Sequence, residues 1–257
     1  MRTTTFLGLL PILIASPVWG NDSAAELAAG GIILVRSDGI AMVEEDLAIS
    51  LDEVRVTYLF RNETPAPITT RVAFPVPQWD EDDEGDLELD RTSKNPMNFS
   101  LVINGQPTTF ETEVRKAGTK VNVTHHWTQT FPPGQDVKVE HRYRPVAGGF
   151  FSPEERYPSA ALDKELTQAF CVGPTLLASL KRNPAYLRTV GYILKSGANW
   201  RGPIRRFRLT LTKAKPRDKI SVCLPDTRKV SPSQFVVDRT NFTPTADLRV
   251  LFIPAEK

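Results

Sequence analysis

The sequence predicts a mainly β protein, with antiparallel sheets in a β-sandwich-like arrangement and one short helical insertion. Three observations carry that prediction. Apolar and polar residues alternate with the period of a half-buried strand in many short runs, as where Val54, Val56, Tyr58 and Phe60 are spaced by Arg55, Thr57 and Leu59. The 21 prolines and 15 glycines of the 257-residue chain supply turns between such runs. Helical spacing of apolar residues stands out in a single region, near the middle of the second half.

Taken in order, Ile32 to Val35 and Ile40 to Val43 flank Ser37-Asp38-Gly39 and predict a hairpin. Val72 to Phe74 leads into Pro75-Val76-Pro77, where the prolines end pairing or mark an edge. Phe99 to Ile103 runs into Asn104-Gly105, a pair that tolerates positive φ at both turn positions, and Thr108 to Val114 follows. Val121 to Phe131 and Val137 to Tyr143, on either side of Pro132-Pro133-Gly134, predict another hairpin. Ser159 is placed to cap a helix carrying Leu162, Leu166, Ala169 and Phe170, and Pro174 to open a second helix closed at Asn183-Pro184. Strand pattern returns around Tyr192 to Leu194, then at 204–212, 219–224 and 248–253.

Residues 1–20 have the parts of a cleavable secretory signal. Arg2 supplies the positive start, Phe6 to Ala15 the apolar stretch, and Val18 and Gly20 the small residues before Asn21. The apolar stretch is about half the ~20 residues a spanning helix needs. Cleavage near Gly20 and a periplasmic or secreted location are therefore expected, with no membrane span afterwards. The organisation that follows is an N-terminal β-sandwich-like half over 21–157, the helical insertion over 158–186 and a C-terminal β half over 187–257. In an oxidising compartment Cys171 and Cys223, the two cysteines of the chain, are expected to form a disulfide. The charge is nearly balanced, 32 basic against 30 acidic residues, which excludes the basic excess of a nucleic-acid binder.

Several phrases, taken together, resemble one family. These are Asn21 to Gly31, Ile40-Ala41-Met42 with Glu45-Asp46-Leu47, Ala73-Phe74-Pro75-Val76-Pro77, Glu140 to Pro145, and Gly197 to Ile204. The family is the bacterial exported domain of unknown function numbered 4424. The resemblance implies an envelope or secreted location and a bacterial source; it implies no activity.

Candidate functional residues fall in four places. Arg201, Arg205, Arg206, Arg208, Lys213, Lys215, Arg217 and Lys219 crowd one stretch, and Arg206 and Arg208 alternate with Phe207 and Leu209. Arg205, Arg206, Arg208, Lys213 and Lys215 are the candidate surface for an anionic envelope component or another exported protein; the alternative is an ordinary solvent-facing strand. His125 shares the apolar face of Val121, Val123 and Trp127, and His141 that of Val137, Val139 and Tyr143. They are weak candidates for a metal site, and hydrogen-bonded core histidines are the alternative. The acidic run Asp80 to Asp90 begins like a calcium loop, but Arg91 occupies the closing position that needs a bidentate Glu. Glu154-Glu155 is half of a conceivable carboxylate pair. No nucleophile elbow, HExxH, P-loop or dinucleotide fingerprint is present, and no cofactor is expected. The expectation is a non-catalytic envelope interaction or binding protein, with a periplasmic glycan hydrolase or a metal-binding protein as the alternatives.

Overall fold

The computed structural model describes residues 23–28, 31–35, 37–75, 79–81, 90–145 and 147–255. Residues 1–20, where a secretory signal is expected, lie outside the described residues, as do positions 82–89 of the acidic run on which the calcium question turns. The chain supplies β1 (Ser23–Ala28), β2 (Gly31–Val35), β3 (Ile40–Ile49), β4 (Val54–Asn62), β5 (Ile68–Pro75) and the short β6 (Trp79–Asp80). After the acidic run come β7 (Ser100–Ile103), β8 (Gln106–Thr108), β9 (Glu111–Ala117), β10 (Lys120–Phe131), β11 (Asp136–Tyr143) and β12 (Ala147–Phe151). Helices α1 (Ala160–Ala169) and α2 (Pro174–Arg182) follow, and then β13 (Tyr186–Tyr192). A 3-10 turn at Lys195–Asn199 precedes β14 (Ile204–Thr212), β15 (Lys219–Val222), β16 (Arg228–Lys229), β17 (Gln234–Phe242) and β18 (Leu248–Ile253).

These strands form three sheets. The first runs β2-β1-β5-β10-β6, with β9 also pairing β10; the second runs β16-β17-β14-β3-β4-β11-β7-β8; the third runs β12-β13-β18-β15. The first two face one another. Phe60 of β4 meets Phe131 of β10 at 5.9 Å between ring centres, and Phe74 of β5 meets Tyr143 of β11 at 5.1 Å. The third sheet is covered on both sides. Val250 and Phe252 of β18 join the main core, while Leu251 and Ile253 pack with Leu166, Phe170 and Leu180 of the helical region. Burial on both faces explains why β18 reads as a nearly continuous apolar run rather than an alternating one.

The fold is mainly β, with several antiparallel sheets and two helices, as predicted. One pair departs from the antiparallel pattern: β3 and β14 run parallel, with Arg206 beside Glu44 and Leu209 beside Leu47. Parallel neighbours need a long connection, and most of the chain lies between these two strands. Strands from before and after the helices thereby share one sheet.

The helix signals hold. Ser159 is extended (φ −128°, ψ 103°) and its side chain accepts a hydrogen bond from the amide of Leu162, and Pro174 opens α2. The Asn104-Gly105 hairpin forms between β7 and β8, with φ of 49° and 80° at the turn. Two other predicted hairpins do not form. β2 pairs with β1 and β3 with β4, so Ser37-Asp38-Gly39 connects different sheets. Likewise β10 is flanked by β5 and β9, and β11 by β4 and β7, so Pro132-Pro133-Gly134 turns a corner between the first and second sheets. Asn62 holds that corner: its backbone carbonyl accepts from Gly134 at 2.9 Å and its side-chain amide donates to the Phe131 carbonyl at 2.8 Å. Local sequence marks the turn, but competition among all available strand edges decides the pairing.

Candidate functional site

Three polar arrangements stand out, one inside the core and two on the surface. The interior one starts from a bulge. The β3–β4 register shifts between Met42 and Glu44, so Ile40 and Met42 point inward before it and Glu45, Leu47 and Ile49 after it. An extra residue in one strand inverts the inward face beyond it. Glu45 is thus carried to 0% exposure, where its Oε1 accepts from the Tyr192 hydroxyl at 2.8 Å. The Tyr192 and Tyr58 hydroxyls are themselves 2.8 Å apart. Burial raises the Glu45 carboxyl from 4.5 to about 8, against a smaller lowering by the Tyr192 hydrogen bond, so the group is mostly protonated at neutral pH. Glu45 is sealed from solvent and so cannot touch a glycan. Its neighbourhood in sequence, Glu44-Glu45-Asp46, reads as polar surface, and nothing in the alternation marks the bulge.

Both candidate histidines lie in this interior, as the face assignments predict, although they come from opposite sheets. His125 Nδ1 is 2.9 Å from Thr112 Oγ1, and its ring stacks on Phe99 at 5.1 Å. The His141 ring meets the same Phe99 at 4.8 Å and Tyr58 at 5.4 Å. Burial, then the neighbouring His126, lowers His125 to about 4; burial, then His125, lowers His141 to about 3. The surroundings are aromatic, and among the described residues no three His, Cys, Asp or Glu side chains gather in a metal-holding group. Glu154 and Glu155 sit in the connection between β12 and α1, the former half-buried and the latter exposed.

The second arrangement is the ladder on β14. Arg206 and Arg208 are exposed on one face, as their alternation predicts, but the sheet brings carboxylates to them. Arg206 pairs with Glu44 of β3, and Arg208 with Asp238 of β17 at 3.1 Å; Arg228 also reaches Asp238. Arg205 pairs with Glu63, which Arg201 approaches at 3.2 Å. Arg205, Arg206 and Arg208 are therefore each held in an ion pair, with Glu63 shared with Arg201 and Asp238 shared with Arg228. The linear sequence hides this because Glu44, Glu63 and Asp238 come from distant segments.

The third arrangement is an open groove of about 710 Å³ between α2 and the loop joining β14 to β15, with β16 and β17 beyond. Its loop is folded by a residue expected to be a surface cation. Lys213 is only 5% exposed, and its ammonium donates to the Pro216 and Asp218 carbonyls, each at 2.7 Å. Burial and the nearby Lys229 lower its pKa, and its charge lies 5.6 Å from the Phe235 ring centre. Lys213 thus organises the loop rather than offering a free charge. The Asp218 carboxylate is likewise committed, accepting from the Lys215 and Ala255 amides at 2.9 and 3.0 Å. Lys215 is exposed on the same loop. Around the groove stand Arg182, Arg217, Lys219 and Lys229, all exposed, whose side chains have no hydrogen-bond or ion-pair partner among the described residues. Arg217 and Lys219 belong to the basic stretch seen in the sequence. Arg182 and Lys229 arrive from elsewhere, and no local signal links them to it.

The disulfide between Cys171 and Cys223 is formed, with the two Cα atoms 5.0 Å apart. Cys171 precedes α2 by three residues and Cys223 follows β15 directly, so the bridge ties together the two elements that flank the groove.

Among solved structures, the chain is similar to a Legionella pneumophila protein described as a "putative nutrient binding protein", with a TM-score of 0.56, 17% identity, and coverage of 93% of this chain and 73% of that one. It also aligns with yeast LTA4 hydrolase (TM-score 0.37, 8% identity, 83% of this chain and 29% of that one). A third alignment is with an M1 zinc metallopeptidase from Deinococcus radiodurans (TM-score 0.32, 14% identity, 86% and 43%). The first likeness shows a shared fold; the other two scores are too low to carry an argument. A comparison with curated proteins finds no match. The sequence profile of the family named Domain of unknown function (DUF4424) matches residues 20–126 and 116–251, nearly the whole chain from residue 20 onward, and the chain belongs to that family.

Proposed function

We propose that the protein is an exported, non-catalytic binding protein of the bacterial envelope, and that its ligand is an anion held in the groove beside α2. The observation that carries this reading is the concentration there of cations without a partner among the described residues. On the β14 ladder the arginines are matched by carboxylates, whereas Arg182, Arg217, Lys219 and Lys229 surround a concavity in which the one acidic side chain, Asp218, is engaged by backbone amides. Such a patch attracts anions and favours their retention. The similar Legionella protein, described as a putative nutrient binding protein, is consistent with a binding role. Against the hydrolase alternative stands the burial of Glu45, the carboxyl whose pKa is raised most among the described residues.

Titration of the purified protein with inorganic phosphate, followed by calorimetry, tests the site. Binding is expected to weaken with added salt, because exposed charges are screened beyond ~10 Å at 0.1 M. Combining Arg217→Glu with Lys219→Glu should lower affinity at least tenfold, while combining Arg206→Glu with Arg208→Glu should leave it unchanged. The reverse pattern would return the site to the β14 ladder. Export rests on residues 1–20; mass spectrometry of protein from the native host should place the N-terminus within a residue or two of Asn21. Intact Met1 on the soluble protein would overturn it.

A further inference from the structure

The groove has two chemistries, and they are arranged on different parts of it. Its cations are exposed, at the rim, on α2, on the β14–β15 loop, on β15 and on β16. Its floor includes Leu176 of α2, Ile220 of β15 and Phe235 of β17, each half-buried, so apolar surface lies open to solvent between the charges. A second hollow of about 200 Å³ adjoins it, sharing Ser179, Arg217 and Lys219 and continuing onto Leu180 and Ile253. The main volume, about 710 Å³, lies within the range of small-molecule sites, which are mostly apolar with a few polar groups fixing orientation. A purely inorganic anion would use the rim and leave the floor wet. A neutral apolar molecule would use the floor and leave four cations unmatched.

We infer that the ligand is a small amphipathic anion, a phosphate or carboxylate head on a short apolar chain, bound as a monomer. The head lies against Arg217, Lys219 and Lys229, and the chain lies on Leu176, Ile220 and Phe235. This rests on the anion-binding reading of the groove and adds the apolar half of the ligand to it. The site is held open from below. Val172, Leu180 and Ile253 pack as one cluster with the underside of α2 and the third sheet, and the Cys171–Cys223 bridge fixes the start of α2 relative to the end of β15. The groove is thus largely preformed, which limits the ordering needed on binding.

The experiment compares four probes on the disulfide-bonded protein by calorimetry: hexyl phosphate below its aggregation limit, inorganic phosphate, hexanol, and vesicles of anionic phospholipid. Hexyl phosphate is expected to bind at least tenfold more tightly than inorganic phosphate, since burying even two methylenes suffices for a factor of that order. Hexanol is expected not to bind measurably. Leu176→Ser should erase the gain from the chain while keeping phosphate binding, and Lys219→Glu, at an exposed position, should weaken both anions. Far-ultraviolet circular dichroism and an intact disulfide confirm that each variant is folded. Equal affinity for phosphate and hexyl phosphate would overturn the amphipathic ligand and leave the anion site standing. Binding of neither would overturn both. Binding to vesicles without binding to monomeric hexyl phosphate would overturn the monomeric ligand, as would tight binding of hexanol.

Discussion

Replacing Glu45 with Gln should change the pH dependence of stability in a way that isolates one buried carboxyl. In the folded protein this group sits at about 8, against 4.5 for an ordinary glutamate. Between those values the folded state holds a proton that the unfolded state has released. Its contribution is fully present below pH 4.5 and is lost as pH rises toward 8. At ~1.4 kcal/mol for each pKa unit, the whole interval amounts to at most about 5 kcal/mol, and roughly 3 kcal/mol of it is already lost at pH 7. The histidines act in the opposite direction. His125 and His141 are lowered from 6.5 to about 4 and about 3, so the unfolded state binds protons that the folded state refuses, and stability falls as pH drops below 6.5. Of these three groups, the two histidines outweigh the carboxyl between 4.5 and 6.5, and the carboxyl dominates above 6.5. Their combined contribution should therefore peak near pH 6.5. Glu45→Gln keeps an oxygen to accept the Tyr192 hydroxyl and removes the charge. Urea unfolding at pH 5, 6.5, 8 and 9 should show the variant gaining on the wild type by ~1.4 kcal/mol for each pH step of one, up to pH 8. A constant difference across that range would refute the reasoning, because it would mean that Glu45 titrates alike in both states.

Reducing the disulfide, or replacing Cys171 and Cys223 together with Ser, should lower stability by up to about 4 kcal/mol, the chain-entropy value for a closed loop of this length. An unchanged thermal midpoint would deny the bridge a structural role. His141→Ala should cost roughly 2–4 kcal/mol, as it opens a void among Tyr58, Phe74, Phe99 and Trp127, whereas His126→Ala should cost well under half as much. Equal losses in urea unfolding would contradict the burial assigned to the two imidazoles.

Much of the local structure was legible in the sequence because its causes are local. Asn104-Gly105 specifies its hairpin by tolerating positive φ, and Ser159 and Pro174 start their helices by satisfying or lacking amide donors. The inward faces of β10 and β11 followed from a period of two, so the burial of His125 and His141 could be foreseen even though their supposed hairpin does not form. Pairing partners were not legible. A strand edge is chosen by comparing all edges in the folded chain, and Pro132-Pro133-Gly134 fits a corner as well as a hairpin.

The sequence by itself determined the β class, the helical insertion, the family and the cysteine pair, since composition, periodicity and residue identity are carried within short windows. Tertiary structure alone decided which charges are available. Arg205, Arg206 and Arg208 look like the centre of a basic face until β3, β17 and Glu63 bring carboxylates to them, and Lys213 looks exposed until its own loop closes over it. The four cations around the groove, without partners among the described residues, come from α2, the β14–β15 loop, β15 and β16, segments separated by as much as 47 positions between Arg182 and Lys229. Charge pairing acts over a few ångströms of space, and sequence distance does not measure that separation.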